Sequence, residues 1–265
     1  TDDRENNKNF RLPDRIMISG IIAVIMRSAR REAPQHRGSF RVEILQLSKN
    51  ERMKKICLLA FAITLLSGFS IPARKAKVLI IGDSISIGYY PFVKKELSDI
   101  AVVSHNKGNG EFTAYGLEHI RAWIGDGKWD LIQFNWGLWD IAYRAKGSMK
   151  LDEKTGVLTT SPEDYGRNLE ALVEILKSTH AKLVFVTTTY VPSGEPGRSE
   201  KNVKKYNRIA LKVMKENGVM VNDISGASGK IHDQYGNGED NVHYTEKGYE
   251  ELSSLVSGFL RKALQ

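Results

Sequence analysis

Five short, nearly uninterrupted runs of aliphatic residues constrain the possible fold of this chain more than any other feature. Each run has the length of a strand, and amphipathic stretches that suit helices lie between them. Uninterrupted apolar runs are typical of parallel strands, because the strands of a parallel sheet are buried on both faces. The five runs are Lys77–Ile81, Ala101–His105, Leu131–Asn135, Lys182–Thr188 and Val219–Ile224.

The alternation of strands and helices predicts an α/β fold. We expect a single doubly wound three-layer sandwich around a mostly parallel five-stranded sheet with flavodoxin-like strand order. A polar segment, Arg144–Thr160, contains the turn signal Lys154–Gly156 and predicts a small hairpin on the rim. The expected helices are Phe92–Leu97, Ala114–Ile124, Pro162–Thr179, Lys201–Asn217 and Glu246–Leu264.

The stretch Met53–Ser70 resembles a secretory signal peptide. Two lysines precede an apolar run of 11 residues, Ile56–Leu66, and the small residues Gly68 and Ser70 follow it. The run is too short for a membrane anchor, which needs roughly 20 apolar residues; a buried core helix is the other alternative. We therefore expect an exported protein, secreted or periplasmic in a bacterium, whose mature form begins near Ile71 and has no membrane span.

Residues 1–52 precede this segment and show no clear period. Our hypothesis is that translation starts at Met53 and that residues 1–52 are a non-native extension of the reading frame; the alternative is a real, disordered or partly helical basic extension. The predicted globular domain is 72–265. The only cysteine, Cys57, lies within the apolar run, so this domain has neither disulfides nor thiol chemistry.

The formal net charge of +8 suggests a nucleic-acid partner until its distribution is considered. Residues 1–52 contain 11 Lys/Arg and 7 Asp/Glu, and residues 53–75 contain 4 basic residues and no acid. The remaining residues, 76–265, contain 24 of each. The globular part is therefore neutral, and no nucleic-acid partner is expected.

The residues that follow the predicted strands carry the functional information, because ligands of such sheets bind beyond the carboxyl ends of the strands. Glycines, hydroxyls, acids and a histidine occur there. They belong to the segments Gly82–Ser84, Gly108–Gly110, Trp136–Asp140 and Asp240–His243.

Together these segments predict nucleophilic catalysis. A serine hydroxyl needs a base to take its proton, and the base needs an orienting partner. Ser84 is the candidate nucleophile, His243 its base and Asp240 the partner of the histidine, while the backbone N–H groups of Ser84 and Gly110 could stabilise an oxyanion. Taken singly, these residues also fit a capped β–α turn, a loop glycine and a surface turn. His232 is a rival base that we expect in a loop.

In this combination and order, the segments resemble the SGNH, or GDSL-type, hydrolase superfamily over most of 77–262. Ser84 in "IGDSISIG", Gly110, and Asp240 with His243 in "DNVHYT" match three of its sequence blocks. The segments "FVTTTYVP" and "KKYNRIALKVMKENGV" look like the carbohydrate-esterase-like bacterial members. The resemblance implies a serine esterase that uses no metal and no cofactor.

The third block departs from the family pattern, which usually reads Gly-x-Asn-Asp. Here Trp139 stands where the asparagine would donate its amide to the oxyanion. The indole N–H of Trp139 could replace it, Asn135 at the strand end could reach in, or the third donor is absent. Trp136 and Trp139 could equally be core aromatics.

Export and the resemblance favour removal of a short acyl group, in particular acetyl, from a small or polymeric saccharide ester through an acyl-enzyme. Trp136 and Trp139 would suit stacking on the sugar, with Asp83, Tyr90, Tyr190 and Arg198 lining the substrate site. The alternatives are a lysophospholipase- or thioesterase-type lipid esterase and a non-catalytic glycan-binding relative.

Overall fold

The structure is a computed structural model and describes residues 74–265, together with residues 53, 54 and 57. The predictions for residues 1–52, and most of those for 53–70, fall outside the described residues. Residues 74–265 belong to one compact unit, Ile71–Gln265. In the described part of the chain, no helix has the length and apolar character needed to cross a membrane.

One five-stranded sheet forms the centre of the unit. Its strands run in the order β2-β1-β3-β6-β7 and every neighbouring pair is parallel, so the predicted sheet and its flavodoxin-like order are confirmed. Strands β3, β6 and β7 end one or two residues before their predicted ends. The strands are β1 (Ala76–Ile81), β2 (Ala101–His105), β3 (Leu131–Phe134), β4 (Tyr143–Arg144), β5 (Val157–Leu158), β6 (Lys182–Val186) and β7 (Met220–Asn222).

Six helices in the described part pack in two groups, α1 with α5 and α6, and α2 with α3 and α4. From β1 to β2 the chain crosses toward one edge of the sheet, and from β2 onward it crosses toward the opposite edge. Because such crossovers are right-handed, the two groups of helices lie on opposite faces of the sheet. This gives the three layers. The helices are α1 (Ser84–Glu96), α2 (Thr113–Ile124), α3 (Pro162–Lys177), α4 (Glu200–Asn217), α5 (Ser225–Tyr235) and α6 (Glu246–Ala263).

Two helices differ from the sequence prediction. Helix α1 begins at Ser84 rather than Phe92, because the Asp83 side chain caps it by accepting a hydrogen bond from the Ile85 N–H (3.0 Å). Helix α5 was not predicted, since glycines and serines interrupt its apolar pattern. His232 is therefore a buried helix residue and not the loop residue that we expected.

The predicted rim hairpin is present as the antiparallel pair β4–β5. Its turn is held by Asp152, whose carboxylate accepts the N–H groups of Lys154 and Thr155. The hairpin is fixed to the segment between β6 and α4 by the Tyr143 N–H, which donates to the Gly197 carbonyl (2.8 Å). The insertion is thereby anchored at the edge of the sheet where the strands end.

A buried acid connects the segment after β3 to helix α2. Asp140 is fully buried, and one of its oxygens accepts hydrogen bonds from the N–H (3.0 Å) and the hydroxyl (2.6 Å) of Thr113, the first residue of α2. Burial raises the pKa of Asp140 to about 6. Asp140 is thus a structural residue that fixes the segments after β2 and β3 to each other.

Candidate active site

The nucleophile candidate lies at the end of the central strand β1. The Gly82 N–H donates to the Asn106 side chain (2.9 Å), which ties the end of β1 to the end of β2. Asp83 caps α1, and Ser84 is the first residue of that helix. The Ser84 hydroxyl is therefore presented at a helix N-terminus, beyond the carboxyl ends of the strands.

Ser84 and His243 are in hydrogen-bonding contact, although they are 159 positions apart in the sequence. The distance from Ser84 Oγ to His243 Nε2 is 2.9 Å, and both residues are partly buried. The other ring nitrogen, Nδ1, lies 2.8 Å from Asn241 Oδ1. Because the amide oxygen only accepts, Nδ1 carries the proton and Nε2 is left with the lone pair that a base requires.

Asp240 does not occupy the position that we predicted. It is exposed, and its side chain forms no hydrogen bond with His243. Asn241 orients the histidine instead, and its Oδ1 also accepts the His243 backbone N–H (3.0 Å). Asparagine side chains commonly accept from the N–H two residues later. The spacing of Asn241 and His243, two residues apart, was therefore a usable sequence signal. We overlooked it because Asp240 matched the Asp-x-x-His pattern.

The environment of His243 favours the neutral ring. Burial, and secondarily the positive charge of Arg198, lower the pKa of His243 below its ordinary value. A neutral histidine can accept the serine proton, whereas an imidazolium cannot. The electrostatics and the tautomer therefore agree with a role as general base.

Gly110 contributes differently from our prediction. Its single N–H donates to the Gly82 carbonyl (2.8 Å), so in this structure it is not available to an oxyanion. Only glycine fits there, because a Cβ atom would lie 2.6 Å from the Gly82 oxygen. The Gly110 hydrogen bond therefore attaches the segment after β2 to the end of β1, directly beside Ser84.

Two side chains after β3 remain as candidate oxyanion donors beside the Ser84 N–H. Asn135 donates one amide hydrogen to the Val186 carbonyl (2.7 Å), and its second hydrogen is available. The Asn135 Cβ would be 3.8 Å from a Cβ placed on Gly82, so this side chain lies against the nucleophile turn. Trp139 is half-buried, and its indole N–H forms no hydrogen bond among the described residues.

Two of the predicted substrate contacts are buried. Trp136 is 1% exposed and donates its indole N–H to the Gly110 carbonyl (3.0 Å), so it is a core residue that cannot stack on a sugar. Asp83 is 2% exposed and its carboxylate is committed to the helix cap. Both residues shape the site from below instead of contacting substrate.

Arg198 and Tyr190 lie on the segment between β6 and α4. Arg198 is buried, donates to the Leu138 carbonyl (2.6 Å) and forms an ion pair with buried Glu195 (2.6 Å). It is thus a framework residue whose charge reaches His243. Tyr190 is half-buried and lines a groove of about 340 Å³ with His232 and Glu239, beside the loop that carries His243.

Comparison with solved structures identifies the architecture. The lipase/acylhydrolase from Enterococcus faecalis is 21% identical, with a TM-score of 0.59 over 72% of this chain and 97% of that one. An acetyl xylan esterase is 17% identical (TM-score 0.56; 69% and 99% covered). A G-D-S-L family protein of Desulfitobacterium hafniense, named as lipolytic, is 15% identical (TM-score 0.52; 69% and 99% covered). No family model and no curated protein sequence matches the chain.

The chain has the SGNH hydrolase fold. The resemblance drawn from the sequence is confirmed at that level.

Two further histidines lie in the same part of the structure. His232, which we had considered as a rival base, has its Nε2 2.7 Å from the Asn241 carbonyl and therefore holds the residue that orients His243. His105 contacts Ser86 (2.7 Å), but Ser86 is only 2% exposed, so this second Ser–His pair is closed to a substrate. Within residues 74–265, no group of three or more His, Cys, Asp or Glu side chains could hold a metal ion.

The first prediction separates Asn241 from Asp240. Asn241→Ala removes the acceptor that fixes the tautomer of His243, whereas Asp240→Ala removes an exposed carboxylate. Loss of a charged orienting partner lowers turnover about 10⁴-fold. For the neutral amide of Asn241 we expect a loss of about 10- to 100-fold. Steady-state hydrolysis of an acetate ester measures both variants. A large loss in Asp240→Ala with little change in Asn241→Ala would restore our original prediction.

The second prediction concerns the oxyanion donors. Loss of one donor typically lowers turnover by about 10²–10³. If Asn135 donates its free amide hydrogen to the oxyanion, Asn135→Ala should show this loss of turnover. Trp139→Phe keeps the aromatic ring and should then lower turnover only slightly. Thermal unfolding of both variants provides the control, because either residue could also affect stability. Nearly full turnover in both folded variants would leave only the backbone N–H of Ser84.

Proposed function

We propose that this protein is a serine esterase that removes short acyl groups, in particular acetyl, from a saccharide. One observation carries the proposal: Ser84 Oγ lies 2.9 Å from the unprotonated nitrogen of a histidine whose other nitrogen is bound by Asn241. A nucleophile, a base and an orienting group are thus linked at the end of a helix, in the relation that acyl transfer requires.

The chemistry follows from this arrangement. His243 Nε2 takes the Ser84 hydroxyl proton as Oγ bonds to the ester carbonyl carbon, and the proton then passes to the leaving alcohol as its C–O bond breaks. The acyl group stays on Ser84 until His243 activates a water that releases it as a carboxylic acid. We assign stabilisation of the oxyanion in both steps to the Ser84 N–H and the free amide hydrogen of Asn135.

The saccharide part of the proposal draws on two kinds of support. The solved structures of the same fold include an acetyl xylan esterase and two variants of one acetyl-xylooligosaccharide esterase from Geobacillus, at 17–19% identity. The half-buried Trp139 and Tyr190 offer aromatic surface near the site. A lipid ester is the second candidate substrate, because a lipase/acylhydrolase has the same fold. A comparison of the hydrolysis rates of acetate and octanoate esters separates the saccharide and lipid candidates.

We further propose that the enzyme is exported and acts outside the cytoplasm. The support is the lysine–apolar–small pattern of residues 53–70. Mass spectrometry of the natively expressed protein would show a mature chain that begins near Ile71. Intact chains that retain residues 53–70 would contradict export through this segment.

The third prediction tests the proposed function. Ser84→Ala and His243→Ala should each lower hydrolysis of a chromogenic acetate ester by several orders of magnitude, since members of a catalytic unit fail together. The matched control is Ser86→Ala, which changes a serine of the same helix that is closed to substrate. If folded Ser84→Ala kept most of its activity, or if wild type hydrolysed no ester, the proposal would be wrong.

The fourth prediction concerns pH. Activity requires neutral His243, and burial together with Arg198 lowers its pKa below the ordinary value of about 6.5. As the pH falls, kcat/KM should therefore begin to decrease at a lower pH than it would if the base were an unperturbed histidine. A pH profile of kcat/KM, with circular dichroism at each pH to verify folding, measures this midpoint. A midpoint at or above 6.5 would contradict the account.

A further inference from the structure

We propose that Arg144, stacked on Trp139 at the rim of the site, binds a carboxylate on the saccharide, so that the substrate is an acylated acidic sugar such as a uronic acid residue. The inference rests on the proposed function and specifies its substrate class. It concerns a residue of the hairpin β4–β5, which the chemical steps above do not use.

The guanidinium of Arg144 is held in a defined position. Its Cζ lies 4.5 Å from the centre of the Trp139 ring, a cation–π contact, and one of its nitrogens donates to the Met149 carbonyl (2.9 Å) within the hairpin. The side chain is only half exposed. A guanidinium fixed in this way loses little conformational entropy when it binds a ligand.

Most of its hydrogen-bonding capacity is unused. A guanidinium has five N–H donors, and Met149 is the only acceptor of Arg144 among the described residues. In the same part of the chain, no carboxylate forms an ion pair with Arg144, whereas nearby Arg198 is paired with Glu195. Arg144 is therefore a positioned cation of this rim that is open to an anionic ligand.

The hairpin brings this cation to the active site. Trp139 lies four residues beyond Asn135, and β4 is hydrogen-bonded to Gly197 next to Arg198. Arg144 also interacts electrostatically with Glu111, the residue after Gly110, so it lies near the segments that follow both β2 and β3. Because the charge of Arg198 acts on both Arg144 and His243, a saccharide bound to Arg144 would extend toward the Ser84–His243 pair.

A carboxylate is the ligand that this geometry suits. The planar guanidinium binds the two oxygens of a carboxylate in a bidentate manner, and a charge-assisted hydrogen bond contributes about 1.5–3 kcal/mol, or roughly 10- to 100-fold in affinity. A neutral sugar gains nothing comparable from a cation. Glu111 opposes the anion at longer range, so Glu111→Gln should tighten binding of an acidic substrate.

The experiment compares the monoacetylated methyl glycosides of glucuronic acid and glucose. Arg144→Met keeps an apolar contact with Trp139 but removes the charge, and should raise KM for the glucuronoside about tenfold or more while the glucoside is unaffected. Arg144→Lys should retain part of the preference. The matched control, Lys146→Met, removes an exposed cation of the same hairpin and should change neither substrate.

A binding measurement makes the test independent of turnover. In Ser84→Ala, calorimetry with an unacetylated trimer of galacturonic acid, compared with xylotriose, should show binding of the acidic trimer that Arg144→Met abolishes. Equal effects of Arg144→Met on acidic and neutral ligands, or none, would overturn the proposal. A preference for the 4-nitrophenyl half-ester of succinic acid over the acetate, lost in Arg144→Met, would place the carboxylate on the acyl group and overturn the saccharide assignment. If the acidic trimer binds through Arg144 but no ester is hydrolysed, only the proposed function fails.

Discussion

The hydrogen bonds at the carboxyl end of β1 are the constraint on which the rest of the site depends. Gly82 donates its N–H to the Asn106 side chain and accepts the Gly110 N–H at its carbonyl, both from the β2 side. From the β3 side, the Asn135 N–H donates to the Ile81 carbonyl (3.0 Å). Parallel pairing of β1 with both β2 and β3 makes these contacts possible. The turn that presents Ser84 is therefore fixed before any substrate binds, as preorganised catalysis requires.

The parts of the chain that complete the site are attached to this frame by buried polar contacts. Arg198 joins the segment after β6 to the Leu138 carbonyl, and the hairpin β4–β5 is bound to the same segment. The Arg198–Glu195 pair is buried, and removal of one partner from such a pair typically costs about 3–5 kcal/mol. Burial, and secondarily the charge of Arg198, lower the pKa of His243, so Arg198 bears on both the framework and the candidate base.

Much of this was accessible from sequence, and the misses have physical causes. Uninterrupted apolar runs such as Leu131–Asn135 predicted the sheet, because burial on both faces is a property of the strand itself. The Ser84–His243 contact followed from motif order at the strand ends. Sequence could not show that Trp136 turns into the core or that the Gly110 N–H is used by Gly82, since these depend on tertiary neighbours. Asn241 was missed because the path of the loop decides whether Asp240 or Asn241 contacts the His243 ring.

The central claim is that Ser84 is a nucleophile activated by His243, and covalent labelling tests it most directly. A fluorophosphonate reacts with a serine hydroxyl only when a base accepts its proton. After incubation, peptide mass spectrometry should find one phosphonylated residue, Ser84, and His243→Ala should abolish this modification in a folded protein. Failure to label wild type, or equal labelling of Ser84 in His243→Ala, would contradict the account.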